Sequence, residues 1–289
     1  MSEGQQPAAR PAQERLAPPA RDPLLAARLE EIDRRLVARF GEPVWQPRLD
    51  PLSELIAVVL SQNTSDRNSR RAFAELRWRF PTWEAVREAA SEEIAAAIRS
   101  GGLANVKAPR IKAILQELTR RFGTLDLSFL CDLPRHEVEA LLLALPGVGA
   151  KSVAIVLLFS CGRPTMPVDT HVHRVARRLG VVPERAGPER TQRILEAHTA
   201  PERMYALHVN FIRLGRQICK APRPLCERCP LCDLCAYWLR LQAPAAAEPA
   251  SPSTQPAGHG AGGTSRMAPN GLRRSGSSAD AASQPARNF

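Results

Sequence analysis

The sequence predicts an all-α protein, and three observations carry that prediction. Apolar residues recur at three- and four-residue spacing through most of positions 25–217. The strict alternation of a half-buried strand is absent. Connections between the periodic stretches are short, as they are in packed helical hairpins. At 289 residues and 44% apolar composition, the chain is long enough for one large domain or two modest ones with real cores.

Taken in order, Leu25, Leu29, Ile32, Leu36 and Phe40 form one stripe on a first helix that stops before Gly41 and Pro43. Asp50-Pro51 opens the next: Asp accepts from a free N–H, and Pro sits in the first turn, where its missing donor costs nothing. Leu52, Leu55, Ile56 and Val59 line the inner face. The same spacing predicts helices at about 65–78, 82–88, 91–99, 105–122, 135–143, 149–160, 170–179, 188–198 and 202–217. Residues 1–22 and 243–289 are rich in Ala, Pro, Ser, Gly and Gln and are expected to be disordered, because such segments bury too little apolar surface to offset the entropy of ordering. The longest apolar runs, Leu55–Leu60 and Val153–Phe159, fall well short of the ~18–20 residues of a membrane span. Met1–Arg21 lacks the apolar segment of a secretory signal. A cytoplasmic monomer with no membrane partner is expected, nucleoid-associated if bacterial.

The formal net charge is +11, of which +9 falls on residues 23–242, so the part expected to fold is the basic part. This points to a polyanionic partner. Only four of the 40 basic residues are lysines, Lys107, Lys112, Lys151 and Lys220. Where only charge is needed the chain uses arginine, so a lysine at a chemically suggestive place is informative.

One such place is Leu145-Pro146-Gly147-Val148-Gly149-Ala150-Lys151-Ser152. A helix runs into Pro and two glycines, and a second apolar helix leaves at once. Glycines two apart permit a tight turn and close approach of another chain, and the free N–H groups that open the second helix are anion donors. A phosphate cradle is expected. A P-loop would need glycine where Ala150 stands, and a dinucleotide fingerprint would need one at Ser152 after a strand. Lys151 in the first turn faces the positive end of the helix dipole, which costs a few tenths to about 1 kcal/mol. The same field, with any burial, disfavours the ammonium and frees the amine to act as a nucleophile, which an arginine could not do. Gripping a phosphate is the simpler role for this lysine.

Eighteen residues on stands Val168-Asp169-Thr170-His171. Asp169 is placed to cap a helix beginning at Thr170, and the intervening helix and return loop allow the two helix starts to meet, setting a carboxylate beside the amine. Leu-Pro-Gly-Val-Gly-x-Lys followed at this interval by Val-Asp-Thr-His closely resembles the helix-hairpin-helix DNA glycosylases of the endonuclease III family, over most of residues 25–240. The resemblance implies that Lys151 attacks the sugar C1′ of a damaged nucleotide and that Asp169 assists its deprotonation and stabilises the oxocarbenium-like transition state. It also implies phosphate binding by the turn from Leu145 through Gly147, Val148 and Gly149.

Five of the seven cysteines fall between 219 and 235. Cys219-x6-Cys226-x2-Cys229-x5-Cys235 offers four thiolates in a short loop, suited to a tetrahedral metal or a cubane cluster. The wide first gap fits a zinc ribbon poorly, and the spacing resembles the [4Fe–4S] loop of the same family. Cys232 is the spare, although an every-third series from Cys226 to Cys235 leaves the choice of four open. Cys131 and Cys161 are expected to be buried small hydrophobes rather than disulfide partners, because a reducing compartment keeps thiols free.

An enzyme that extracts a base must fill the hole it leaves. Two loops resemble the family's filling elements: Ser61-Gln62-Asn63-Thr64-Ser65-Asp66 and Gly101-Gly102-Leu103-Ala104-Asn105. Gln62 or Asn63 would face the orphaned base and Leu103 would act as the apolar wedge.

The expected architecture is two helical lobes with a DNA-binding cleft between them: a six-helix lobe at 44–163 carrying the hairpin, and a cluster lobe from 23–43 and 164–242. The expected function is a bifunctional DNA glycosylase/AP lyase of base excision repair acting on double-stranded DNA with oxidised pyrimidines or abasic sites, and cutting the strand by β-elimination through a lysine Schiff base. The alternatives are a monofunctional mismatch glycosylase for uracil, thymine or adenine, and a non-catalytic DNA-binding protein.

Overall fold

The computed structural model describes residues 19–243, and among these no strand occurs. The expected disorder at 1–22 and 243–289 therefore falls almost wholly outside the described residues. Twelve α-helices succeed one another: α1 (Pro23–Phe40), α2 (Pro51–Ser61), α3 (Asp66–Arg79), α4 (Trp83–Glu88), α5 (Ser91–Ala97), α6 (Ala104–Phe122), α7 (Arg135–Leu143), α8 (Ala150–Phe159), α9 (Thr170–Leu179), α10 (Pro188–His198), α11 (Met204–Gln217) and α12 (Ala236–Gln242). Local chemistry sets their starts. Asp22, Asp50, Ser65, Thr82 and Asp169 each accept from an otherwise unpaired N–H of the helix they precede. Gly123 and Gly180 close α6 and α9 in the left-handed conformation that glycine adopts without penalty. The short α12, after the last cysteine, lies beyond the periodic segments read from the sequence.

The buried side chains form two clusters. One draws on α2 to α8 and contains Leu52, Leu55, Ile56, Leu76, Ile94, Ile111, Leu115, Val153 and Leu157. The other joins α1 to the chain after residue 165 and contains Leu29, Ile32, Leu36, Val172, Val175, Leu207, Phe211 and Leu214. Each fully buried Leu or Ile stabilises by about 1.5–3 kcal/mol, so α1 is held by α11 rather than by the helix next in sequence.

Segment 42–50 straps the end of α8. Trp45 donates its indole N–H to the Leu158 carbonyl at 2.7 Å, and the Arg48 backbone N–H donates to Phe159 at 3.1 Å. The Arg48 guanidinium lies 4.4 Å from the Phe159 ring centre and pairs with Glu54, whose carboxylate is fully buried on α2.

Cys131 and Cys161 correct the sequence reading. They form a disulfide, and both are half-buried. The turn Ser128–Cys131 and the loop leaving α8 bring their Cα atoms to 5.0 Å, within bridging range. An argument from compartment cannot register two residues 30 apart that meet only through the fold.

Candidate active site

The turn between α7 and α8 is built from both sides. Leu145 and Val148 point into the first core, and the Val148 N–H donates inward to the Leu145 carbonyl at 3.3 Å. Of the turn residues singled out in the sequence, these two therefore offer no side chain to a ligand. Gly147 has φ +73, and a Cβ there would meet the Arg110 side chain at 2.5–2.7 Å. Gly149 has an ordinary φ of −113, and a Cβ on it would meet nothing in the protein within 4 Å. The space in front of Gly149 lies outside the fold, where the first N–H groups of α8 have no acceptor within the helix. That arrangement suits a phosphate.

Lys151 is exposed in the first turn of α8, which carries no acidic residue. Asp169 is the N-cap of α9 and accepts from the His171 and Val172 N–H groups at 2.9 and 2.7 Å, both on Oδ1. Oδ2 makes no hydrogen bond among the described residues, so the capping role leaves one carboxylate oxygen available. Arg174 braces this end of α9, donating to the Cys219 and Gly215 carbonyls at 2.8 Å and to His171 Nδ1 at 3.1 Å. His171 Nδ1 must therefore carry no proton, which leaves its proton on Nε2.

His208, which the sequence reading did not single out, lies beneath this site. It is 3% exposed on α11, its ring meets Phe159 edge-on at 5.6 Å, and its Nδ1 has no hydrogen-bond partner. Burial lowers its pKa to about 4, with Asp169 opposing the shift and Lys151 and Arg48 adding to it. Two opposite charges from the starts of α8 and α9 thus act on one ring. The only signal in the sequence was position, next to Leu207 on the inner face of α11.

Two of the three gap-filling candidates share a backbone feature. Among the described residues Asn63 (φ 53) and Leu103 (φ 52) are the only non-glycine residues with positive φ. For leucine this conformation costs about 1–2 kcal/mol, whereas asparagine tolerates it better. Both side chains are exposed, Leu103 by 53%. Gln62 differs: its amide N–H donates to the Gly147 carbonyl at 3.1 Å and its Oε1 accepts from Arg110 at 2.8 Å. Buried Lys107 ties the loops together, donating to the carbonyls of Leu60 and Gly101 at 2.8 and 2.9 Å. Its burial, with Arg110 nearby, pushes its pKa down.

All five clustered cysteines, with Leu214, Ile218, Tyr237 and Trp238, line one small space partly open to solvent. The Arg178 guanidinium lies 3.4 Å from Cys219 Sγ, where it would offset thiolate charge. No three Cys, His, Asp or Glu side chains among the described residues are gathered tightly enough to hold a single metal ion. No helix among the described residues is long and apolar enough to cross a membrane.

Residues 56–201 match the family model described as HhH-GPD superfamily base excision DNA repair protein. The chain is 35% identical to endonuclease III of Thermotoga maritima over 212 residues, which is 73% of this chain and 94% of that one. It is 46% identical to a putative DNA glycosylase of Arabidopsis thaliana over 140 residues, 48% of each. Among solved structures, one described as a trapped endonuclease III–DNA covalent intermediate superposes with a TM-score of 0.65 at 28% identity, covering 75% of this chain and 98% of that one.

Proposed function

The chain belongs to the HhH-GPD superfamily of base excision DNA repair proteins, and from that premise we propose that Lys151 and Asp169 carry its chemistry. It is a DNA glycosylase/AP lyase of base excision repair. The observation that carries the assignment is the pair of opposite charges opening α8 and α9 over one buried ring, with an unused oxygen on Asp169.

In this reading a strand phosphate docks on the α8 N–H groups before Gly149, and the damaged nucleotide leaves the stack. Asp169 Oδ2 takes a proton from the Lys151 ammonium. The freed amine attacks C1′ as the glycosidic C–N bond breaks and the base departs with the bonding pair. Asp169 passes its proton to the departing base; ring opening, with an amine proton moving to O4′, gives the protonated Schiff base, and Asp169 then accepts the C2′ proton as the 3′ phosphate is expelled, cutting the strand. Lys151 is exposed, so the desolvation that sharpens these charges comes from the bound DNA. Asn63 and Leu103, both exposed and the leucine held in a strained left-handed conformation, fill the gap. Strain of this kind clusters at functional positions.

Oxidised pyrimidines in double-stranded DNA are the proposed substrates. A [4Fe–4S] cluster on Cys219, Cys226, Cys229 and Cys235, with Cys232 spare, would fix the shape of loop 219–235. The Arg174 bonds to the Cys219 and Gly215 carbonyls then brace the start of α9.

Duplexes carrying single lesions test the reading. Thymine glycol and dihydrouracil should be excised with strand nicking, and Lys151→Arg should abolish the nicking. Base loss without nicking in the unaltered protein would instead indicate a monofunctional glycosylase, and normal nicking by Lys151→Arg would overturn the assignment.

A further inference from the structure

The hairpin and the Asn63 loop come from distant parts of the chain, and two side chains join them. Gln62 ends α2, immediately before Asn63. Its amide nitrogen holds the Gly147 carbonyl at 3.1 Å, while its Oε1 receives Nη1 of Arg110 at 2.8 Å. The Arg110 side chain rests against Gly147 at the place where any other residue would carry its Cβ. The carbonyl of the peptide unit between Gly147 and Val148 is thus taken by Gln62, and its N–H by Leu145. That peptide cannot turn its polar groups outward without breaking both bonds. Arg110 shares α6 with Lys107, one turn earlier, which holds the bases of both gap-filling loops.

We propose that Arg110 and Gln62 form a latch fixing the phosphate-binding hairpin relative to Asn63, so that docking of the strand and filling of the gap occur as one event. Arg110 is then a positioning residue: it touches neither the sugar nor the base, and it sets where the hairpin stands when Asn63 enters the stack. Gln62 becomes part of the same device rather than a reader of the orphaned base. Planarity matters here, since the guanidinium must lie against a glycine and still donate to an amide oxygen, which an ammonium cannot do equally well.

The inference rests on the glycosylase/lyase reading, and two substrates separate the two ideas. A duplex with a fluorescent adenine analogue beside the lesion reports extrusion and needs both hairpin and gap filler. A single-stranded oligonucleotide with an abasic site needs neither extrusion nor gap filling, and borohydride trapping on it reads only Schiff-base formation. Arg110→Ala should lower extrusion and single-turnover base removal from the duplex by about 10- to 100-fold, the range of one charge-assisted hydrogen bond. Trapping on the single strand should stay within about twofold of the unaltered protein. Arg110→Ala combined with Gln62→Ala should lose no more extrusion than either change alone, because both remove one device, and Arg110→Lys should restore part of the loss. Unchanged extrusion in Arg110→Ala, additive losses in the double variant, or an equal fall on the single strand would each overturn the latch. Failure of the unaltered protein to trap on the single strand would instead count against Lys151, while the extrusion signal would still report on the latch.

Discussion

Replacing His208 with glutamine should remove a specific part of the pH dependence of stability. The imidazole is buried, and burial lowers its pKa from 6.5 to about 4, Asp169 opposing and Lys151 and Arg48 reinforcing the shift. Unfolded, the ring binds a proton below about pH 6.5; folded, it does so only below about pH 4. Between those values the unfolded state carries more protons, so stability falls as pH drops through the window and is lost no further beneath it. At about 1.4 kcal/mol per unit, this single group accounts for about 3 kcal/mol across the window. Asp33, whose pKa is raised chiefly by burial and lowered by Arg203, titrates in both proteins and cancels in the difference. Urea unfolding of the unaltered protein and of His208→Gln, stepped from about pH 7 to about pH 4.5, should show the unaltered protein's advantage shrinking by about 2–3 kcal/mol as pH falls. A difference that stays constant with pH would refute the placement of this ring as a buried neutral group.

Three further outcomes are expected from particular residues. Leu103→Gly should leave stability within about 1 kcal/mol, because relief of the left-handed strain offsets the added chain entropy and the lost contacts. Excision from a lesion duplex should nonetheless fall at least about tenfold, and a stability loss of several kcal/mol would show that the side chain is packed rather than poised. Cys131→Ser opens a loop with a sequence separation of 30 and should cost about 3–4 kcal/mol in thermal or urea unfolding; reductant should then produce no further loss, and a variant as stable as the oxidised protein would contradict the bridge. Iron and sulfide analysis should find about four of each per chain in the unaltered protein and in Cys232→Ser, and neither in Cys219→Ser; the reverse pattern would reassign the fourth ligand.

Helix positions were legible because their causes are local. Asp50 before Pro51, Ser65 before α3 and the stripe Leu29, Ile32, Leu36 each act within a turn or two, and the ends of the eleven predicted helices fall within about two residues of those observed, the usual uncertainty of helix ends. Lys151 stood out because it breaks a local electrostatic rule in a chain that otherwise prefers arginine, and Asp169 because a short acidic side chain directly before a helical stripe is recognisable as a cap. What escaped the sequence is through-space. Arg110 meets Gln62 across 48 positions, and Gln62 meets Gly147 across 85. His208 looks like any residue beside an apolar stripe until α11 is laid beneath the starts of α8 and α9. What distinguishes Gln62 from Asn63 is a pair of hydrogen bonds on one and a positive φ on the other, neither of which composition encodes.

The central claim concerns a single amine, and the small number of lysines makes it easy to isolate. Borohydride reduction during turnover of a duplex with an abasic site, followed by digestion and mass mapping, should find the sugar remnant on the peptide containing Lys151 and none on those containing Lys107, Lys112 or Lys220. An adduct on any other amine, or strand cleavage with no adduct, would contradict the account.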